Sequence, residues 1–174
     1  MTIALVGFMG SGKTTIGRNL ARRTGYRFVD IDSVIEDRAG RSIAEIFEAE
    51  GEAAFRGSEA DVLAELLGED GVVLSCGGGV VISEANRALL KNAATAVYLK
   101  TEPLEIFKRV GDTGDKRPLL KAGDPLTEIE RLLAGREPLY LEVADMTVET
   151  TDKEIDAVVD EILNEFKVRG WAID

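Results

Sequence analysis

The chain has 174 residues, 45% hydrophobic and 30% charged, and a net charge of −11. That length suits one domain with a full core, and the acidic balance argues against non-specific binding to nucleic acid or an anionic membrane. Histidine is absent, which excludes a histidine base, a Ser-His-Asp triad and histidine-ligated metals, so a general base has to be a carboxylate, lysine or tyrosine.

Residues 3–6 are a short apolar run ended by Gly7, which predicts a buried strand. Gly7 to Thr14 then fits G-x-x-x-x-G-K-[ST], the phosphate-binding loop. Ile16 and Leu20 stand one turn apart, so the loop opens a helix over 13–24 that stops at Gly25. Gly7, Gly10 and Gly12 permit backbone angles closed to other residues, letting successive N–H groups point into one hollow. The helix N-terminus adds unpaired donors and a positive dipole end. Lys13 brings a full charge to the β- and γ-phosphates, and the Thr14 hydroxyl is a ligand for the Mg²⁺ that travels with a nucleotide.

Residues 27–32 read as the second strand, with Asp30 and Asp32 two apart and sharing a face. Asp32 also suits the cap of a helix beginning at Ser33. A cap and a solvated aspartate form the plain reading; beside a phosphate loop the balance moves to Mg²⁺ and substrate, because ligands gather at the C-terminal ends of parallel strands. Ser42-Ile-Ala-Glu45 is a capping box, starting a short helix that ends near Gly51. A longer helix follows over 52–67, with Phe55, Val62, Leu63, Leu66 and Leu67 on one stripe. Arg56 lies beside that stripe, with Glu59 at i+3 as an ion-pair partner.

Residues 72–75 predict the third strand, running into Cys76 and Gly77-Gly78-Gly79. Three glycines directly after a buried strand predict close approach of a ligand or another backbone. Cys76 is the only cysteine, reads as a small core residue and has no partner for an internal disulfide. Cytoplasmic residence follows as the default. No run of about 18 apolar residues predicts a membrane span, and the first residues lack the basic region of a signal peptide.

A helix over 83–91, a fourth strand over 95–99 and a helix beginning at Thr101-Glu-Pro come next. Residues 111–124, rich in glycine and charge, read as a lid. A helix over 126–134 is expected to be interrupted by Gly135-Arg136-Glu-Pro-Leu-Tyr140 and to resume to about Ala144. Residues 146–150 form the fifth strand. Thr151-Asp-Lys-Glu154 reads as a second capping box, and Ile155, Val158, Val159, Ile162 and Phe166 make the core stripe of the last helix. The short tail after it carries Trp171 as an anchor. Alternating strands and helices give an α/β fold: a five-stranded parallel sheet with helices on both faces, right-handed connections and a site at the sheet's C-terminal edge.

In this order, the motifs resemble shikimate kinase. They are Gly-Ser-Gly-Lys-Thr-Thr at 10–15, Asp30-Ile-Asp32, Phe55-Arg56 with Glu59, Gly77-Gly-Gly79, and Arg117-Pro-Leu-Leu with Arg136-Glu-Pro-Leu-Tyr140. The resemblance implies a three-layer P-loop kinase fold like that of nucleoside monophosphate kinases. It implies a single domain over 1–174, with a substrate-binding region at about 32–61 and a lid at about 111–124. The implied reaction is ATP-dependent phosphorylation of the 3-hydroxyl of shikimate, in chorismate and aromatic amino acid biosynthesis, by a cytoplasmic monomer whose partners are small molecules.

Residue by residue, the resemblance assigns the ATP phosphates to Gly10, Ser11, Gly12, Lys13, Thr14 and Thr15, and Mg²⁺ to Thr14 and Asp30. Asp32 would bind the substrate hydroxyls and act as base. Arg56 and Arg136 would grip the substrate carboxylate, with Gly77, Gly78 and Gly79 beside them, and Arg117 would reach the phosphates from the lid. Many relatives carry arginine at the positions of Val110 and Lys153, near the adenine, which leaves Arg109 and Lys153 as the adenine-side candidates. Phosphoryl transfer needs positioning and charge compensation above all, and a carboxylate is best held by the bidentate fork of arginine.

Another small-molecule P-loop kinase, such as one acting on gluconate, would keep the loop but lack the set Arg56, Gly77–Gly79 and Arg136. A GTPase-type switch would want an Asn-Lys-x-Asp motif, which is absent. A non-catalytic nucleotide-binding module is disfavoured by the intact Lys13, Asp32 and Arg117.

Overall fold

Five short runs pair into one parallel sheet: β1 (Thr2–Val6), β2 (Arg27–Asp30), β3 (Val72–Ser75), β4 (Thr95–Lys100) and β5 (Met146–Glu149). The structure is a computed structural model that describes residues 1–112 and 124–171. Strand order is β2-β3-β1-β4-β5, and all four pairings are parallel. The helices are α1 (Lys13–Thr24), α2 (Ile31–Ala39), α3 (Ile43–Leu66), α4 (Glu84–Ala93), α5 (Pro103–Asp112), α6 (Pro125–Val143) and α7 (Ile155–Val168).

Side chains alternate across β1, so Ala4 and Val6 face one way and Ile3 and Leu5 the other. The first pair joins a core with residues of α2, α3, α4, α5 and α6. The second joins a separate core with α1 and α7. Both faces of the sheet are therefore covered, as a parallel sheet requires, and β1 and β3 are buried along their whole length. Arg23 to Asp160 at 2.6 Å and Asn19 to Asp156 at 2.6 Å tie α1 to α7 across their outer faces. Trp171 packs edge-on against Phe166, with ring centroids 5.3 Å apart, and anchors the tail. Among the described residues no helix is long and apolar enough to cross a membrane.

Local differences from expectation have physical causes. β2 stops at Asp30, and the chain turns into α2 at Ile31, which is completely buried. Asp30, rather than Asp32, is the N-cap and accepts the Asp32 N–H at 3.2 Å. The two aspartates thus sit on a strand end and a helical first turn, and do not share a strand face. At Gly51 (φ 83°, ψ 173°) α3 breaks into the two expected segments. The expected interruption of α6 does not occur: the helix runs through Gly135 and Pro138. The expected capping box at Thr151 does not form either. Glu154 is the N-cap without a side-chain bond, because the Thr151 hydroxyl donates to Glu149 at 2.7 Å. The expected lid lies, apart from its ends, outside the described residues, and Arg117 with it.

Candidate active site

The phosphate loop leaves β1 in a conformation only glycine tolerates. Gly7 has φ 150°, and a Cβ there would lie 2.7 Å from the Leu99 carbonyl oxygen and 2.9 Å from Ser11 Oγ. Gly12 (φ 91°) is the N-cap of α1 and offers no side-chain cap, and no acidic residue stands in the first turn. The first N–H groups of α1 are therefore left for a ligand. Lys13 Nζ donates to the carbonyls of Gly7 at 2.9 Å and Phe8 at 2.8 Å. Ser11 is buried beneath the loop.

Register brings the metal candidates together. Asp30 pairs with Ser75 across β2 and β3. The Thr14 hydroxyl donates to Asp30 at 2.9 Å and lies 3.5 Å from Ser75 Oγ. These three oxygens open on a cavity of about 410 Å³, also lined by Gly10, Gly12, Lys13, Thr15 and Arg109. Arg109 donates to Thr150 O at 3.0 Å, to Gly10 O at 3.4 Å and to Glu105 at 2.9 Å, so it braces the loop against the end of β5. Lys153 is not brought to this cavity; its ammonium pairs with Glu161 at 2.6 Å. Val110 is buried and packs beside Gly10.

A second cavity of about 260 Å³ adjoins the first and shares Met9, Asp32, Gly77 and Gly78 with it. Arg56 and Arg136 supply its guanidinium groups, and Ile43, Phe47 and Phe55 an apolar wall. Arg56 lies over the Phe55 ring at 5.1 Å and Arg136 over the Phe8 ring at 5.5 Å. Arg56 also donates to Glu59 at 2.8 Å and to Glu52 at 3.2 Å. Glu59 is completely buried. Burial pushes its carboxyl up, Arg56 pulls it back and Asp32 pushes it further up.

The glycines after β3 make these approaches feasible. A Cβ on Gly77 would lie 2.9 Å from both Asp32 Oδ1 and Glu59 Oε1. One on Gly79 would collide with the Arg56 guanidinium, and one on Gly78 would lie 3.3 Å from Met9 N. The close approach read from the triple glycine is thus made by both side chains and the phosphate loop's backbone. Cys76 is buried with its thiol pushed up by desolvation, so it is a core residue rather than a nucleophile.

Several contributors escape sequence reading. Ser75 had one available signal, a polar residue closing an apolar strand. The apolar wall from Met9, Ile43 and Phe47, and the burial of Glu59, depend on how α3 docks. The Tyr140 hydroxyl, which donates to Gly78 O at 2.5 Å, reaches across 62 residues of chain. Together the groups form a partly apolar cavity with two guanidinium groups beside a phosphate cradle, with a carboxylate on the boundary.

A family model described as shikimate kinase matches residues 9–167. The shikimate kinase of Nitrosococcus oceani is 46% identical over 165 residues, covering 95% of this chain and 86% of that protein. The shikimate kinase of Halorhodospira halophila is 51% identical over 149 residues, covering 86% of this chain and 84% of that protein. A shikimate kinase from Acinetobacter baumannii, solved in complex with shikimate, superposes with a TM-score of 0.93 at 40% identity, covering 98% of this chain and 95% of that one. A gluconokinase from Sinorhizobium meliloti, with a TM-score of 0.59 at 18% identity over 96% of this chain and 91% of that one, shares the fold alone.

Proposed function

We propose a division of labour among the site residues from one premise: the chain belongs to the shikimate kinase family. It is an enzyme that uses ATP to phosphorylate the 3-hydroxyl of shikimate, giving shikimate 3-phosphate and ADP. The observation that carries the division is the position of Asp32. It lines both cavities, with Arg56 and Arg136 in one and Lys13 in the other.

Shikimate lies in the smaller cavity. Arg56 and Arg136 hold its carboxylate by charge-assisted bonds, Gly77, Gly78 and Gly79 border it, and the apolar wall takes the ring. Asp32 accepts a hydrogen bond from the reacting hydroxyl and orients it toward the larger cavity. There the loop from Gly10 to Thr15 holds the phosphates of ATP, and Arg109 borders the nucleotide. The hydroxyl oxygen bonds to the γ-phosphorus as the bond to the β–γ bridging oxygen breaks. The electron pair leaves with ADP, and the hydroxyl proton passes to Asp32. Lys13 leaves the Gly7 and Phe8 carbonyls to balance charge on the transferring group.

Mg²⁺ fits the oxygen donors present. Thr14, Asp30 and Ser75 are hard ligands, and their small number suits an ion that keeps waters and nucleotide oxygens in its shell. Bound with ATP, Mg²⁺ supplies positive charge at the β- and γ-phosphates. The resemblance adds Arg117 as a lid arginine, Lys153 on the adenine side, the 32–61 substrate region, the 111–124 lid, and a cytoplasmic monomer that engages no nucleic acid or membrane.

A coupled assay of ADP release tests the reading. Shikimate should support turnover and gluconate should not. Arg136→Ala should raise the shikimate KM by roughly one to three orders of magnitude, since removing one partner of a desolvated charge pair costs about 2–5 kcal/mol. Shikimate methyl ester should be a poor substrate for the parent and lose little more in the variant. An ester that works as well as the acid would refute the carboxylate grip.

A further inference from the structure

We infer that Tyr140 is a positioning residue for shikimate: its hydroxyl holds the Gly78 carbonyl and so aims the Gly79 N–H at the substrate. The inference rests on the proposed placement of shikimate in the smaller cavity. Tyr140 is completely buried on α6, and its hydroxyl donates to Gly78 O at 2.5 Å. Its ring stacks on Tyr98 of β4, with centroids 5.1 Å apart and planes 19° apart. The ring is therefore fixed from the sheet side, and the hydroxyl is the part that reaches the glycine loop.

The carbonyl of Gly78 and the N–H of Gly79 belong to one planar trans peptide unit and point in opposite directions. Fixing the first fixes the second. Among the described residues the Gly79 N–H donates to no group, and Gly79 lines the smaller cavity. Glycine leaves this loop with more backbone freedom than any other residue would. A buried hydroxyl on a rigid ring removes that freedom at one chosen peptide. Arg136 Nη1 reaches the same carbonyl at only 3.5 Å, at the limit of a useful hydrogen bond. Tyr140 is thus the stronger anchor of that carbonyl, and its hydroxyl also accepts a hydrogen bond from Arg136. Desolvation pushes the Tyr140 hydroxyl up, so it stays protonated and remains a donor throughout the working pH range.

The test uses the full chain with three replacements at this position. Tyr140→Phe keeps the ring and its stacking and removes the donor. 4-Fluorophenylalanine at 140 also fills the hydroxyl's volume. 4-Aminophenylalanine at 140 restores a donor. The two donor-less variants should raise the shikimate KM about tenfold, which corresponds to one hydrogen bond, with the ATP KM within twofold of the parent and a melting temperature lowered by only a few degrees, as the loss of one buried hydrogen bond implies. 4-Aminophenylalanine should recover most of the loss. Arg136→Ala is run in parallel. If it fails to raise the shikimate KM, the placement of shikimate is wrong. If it raises the KM while Tyr140→Phe leaves it unchanged, only the role of Tyr140 falls. Equal losses for ATP and shikimate, or failure of both donor-less variants to fold, would make the hydroxyl structural and overturn the inference.

Discussion

At the scale of single residues, the smaller cavity depends on a carboxylate kept from water. Glu59 is completely buried and bonded to Arg56, and burial pushes its carboxyl above its ordinary 4.5. The folded chain then holds this proton to higher pH than the unfolded chain does. Its stabilising contribution is full below pH 4.5 and is lost as the pH rises through the raised folded value. Glu59→Gln cannot titrate. The stability of the parent minus that of the variant should therefore fall as the pH rises above 4.5, and urea unfolding at matched pH measures it. A difference that grew with pH would mean that the Arg56 ion pair outweighs burial. The sequence shows Glu59 as an i+3 partner of Arg56, but not this desolvation. Spacing along one helix carries no information about the Gly77 loop that closes over it. Asp32 is legible as a site residue because an acidic pair follows a strand beside a phosphate loop. Its helical setting is not, since the turn at Ile31 is decided by where that side chain buries.

At the scale of elements, the phosphate loop is the part most completely written in the sequence. Its glycine spacing and the flanking strand and helix are local, so no distant contact is needed to predict it. Its intolerance is set elsewhere, by β4. In Gly7→Ala the new methyl would sit 2.7 Å from the backbone oxygen of Leu99, which cannot rotate away. The expected loss is about 1–3 kcal/mol of stability, with a rise in the ATP KM. Denaturant unfolding and ATP saturation curves check both, and an unperturbed ATP KM would show that the loop can relax. Helix α6 shows the opposite case. Gly135 and Pro138 are breakers by local rules, yet the helix passes through them. Ile129, Leu133, Tyr140 and Val143 are all buried and keep one helical phase across both residues. The tertiary gain from that stripe outweighs the local preference.

At the scale of the whole molecule, the sheet separates two cores, and only α1, which begins at the phosphate loop, carries site residues from the second. The smaller cavity opens among elements of one core, while Phe166 lies wholly inside the other. Phe166→Ala should cost about 3–5 kcal/mol of stability and leave the KM values of the folded enzyme unchanged. Unfolding curves and steady-state kinetics on one preparation separate the two effects, and a selective rise in either KM would join the two sides functionally. The overall α/β architecture was legible because alternating apolar runs and capped helices are repeated signals. Which residues meet across the two cavities was not, because that is fixed by strand order and helix docking. The four residues common to both cavities, Met9, Asp32, Gly77 and Gly78, have a thermodynamic consequence. Whichever ligand arrives first settles a wall that the second ligand also needs. Each should therefore strengthen the other's binding, and by the same factor, since the coupling free energy belongs to the pair and not to either site. Calorimetric titration of shikimate with and without ADP, and of ADP with and without shikimate, should return two equal ratios above one. Ratios of one would mean that the shared wall is already rigid before either ligand binds.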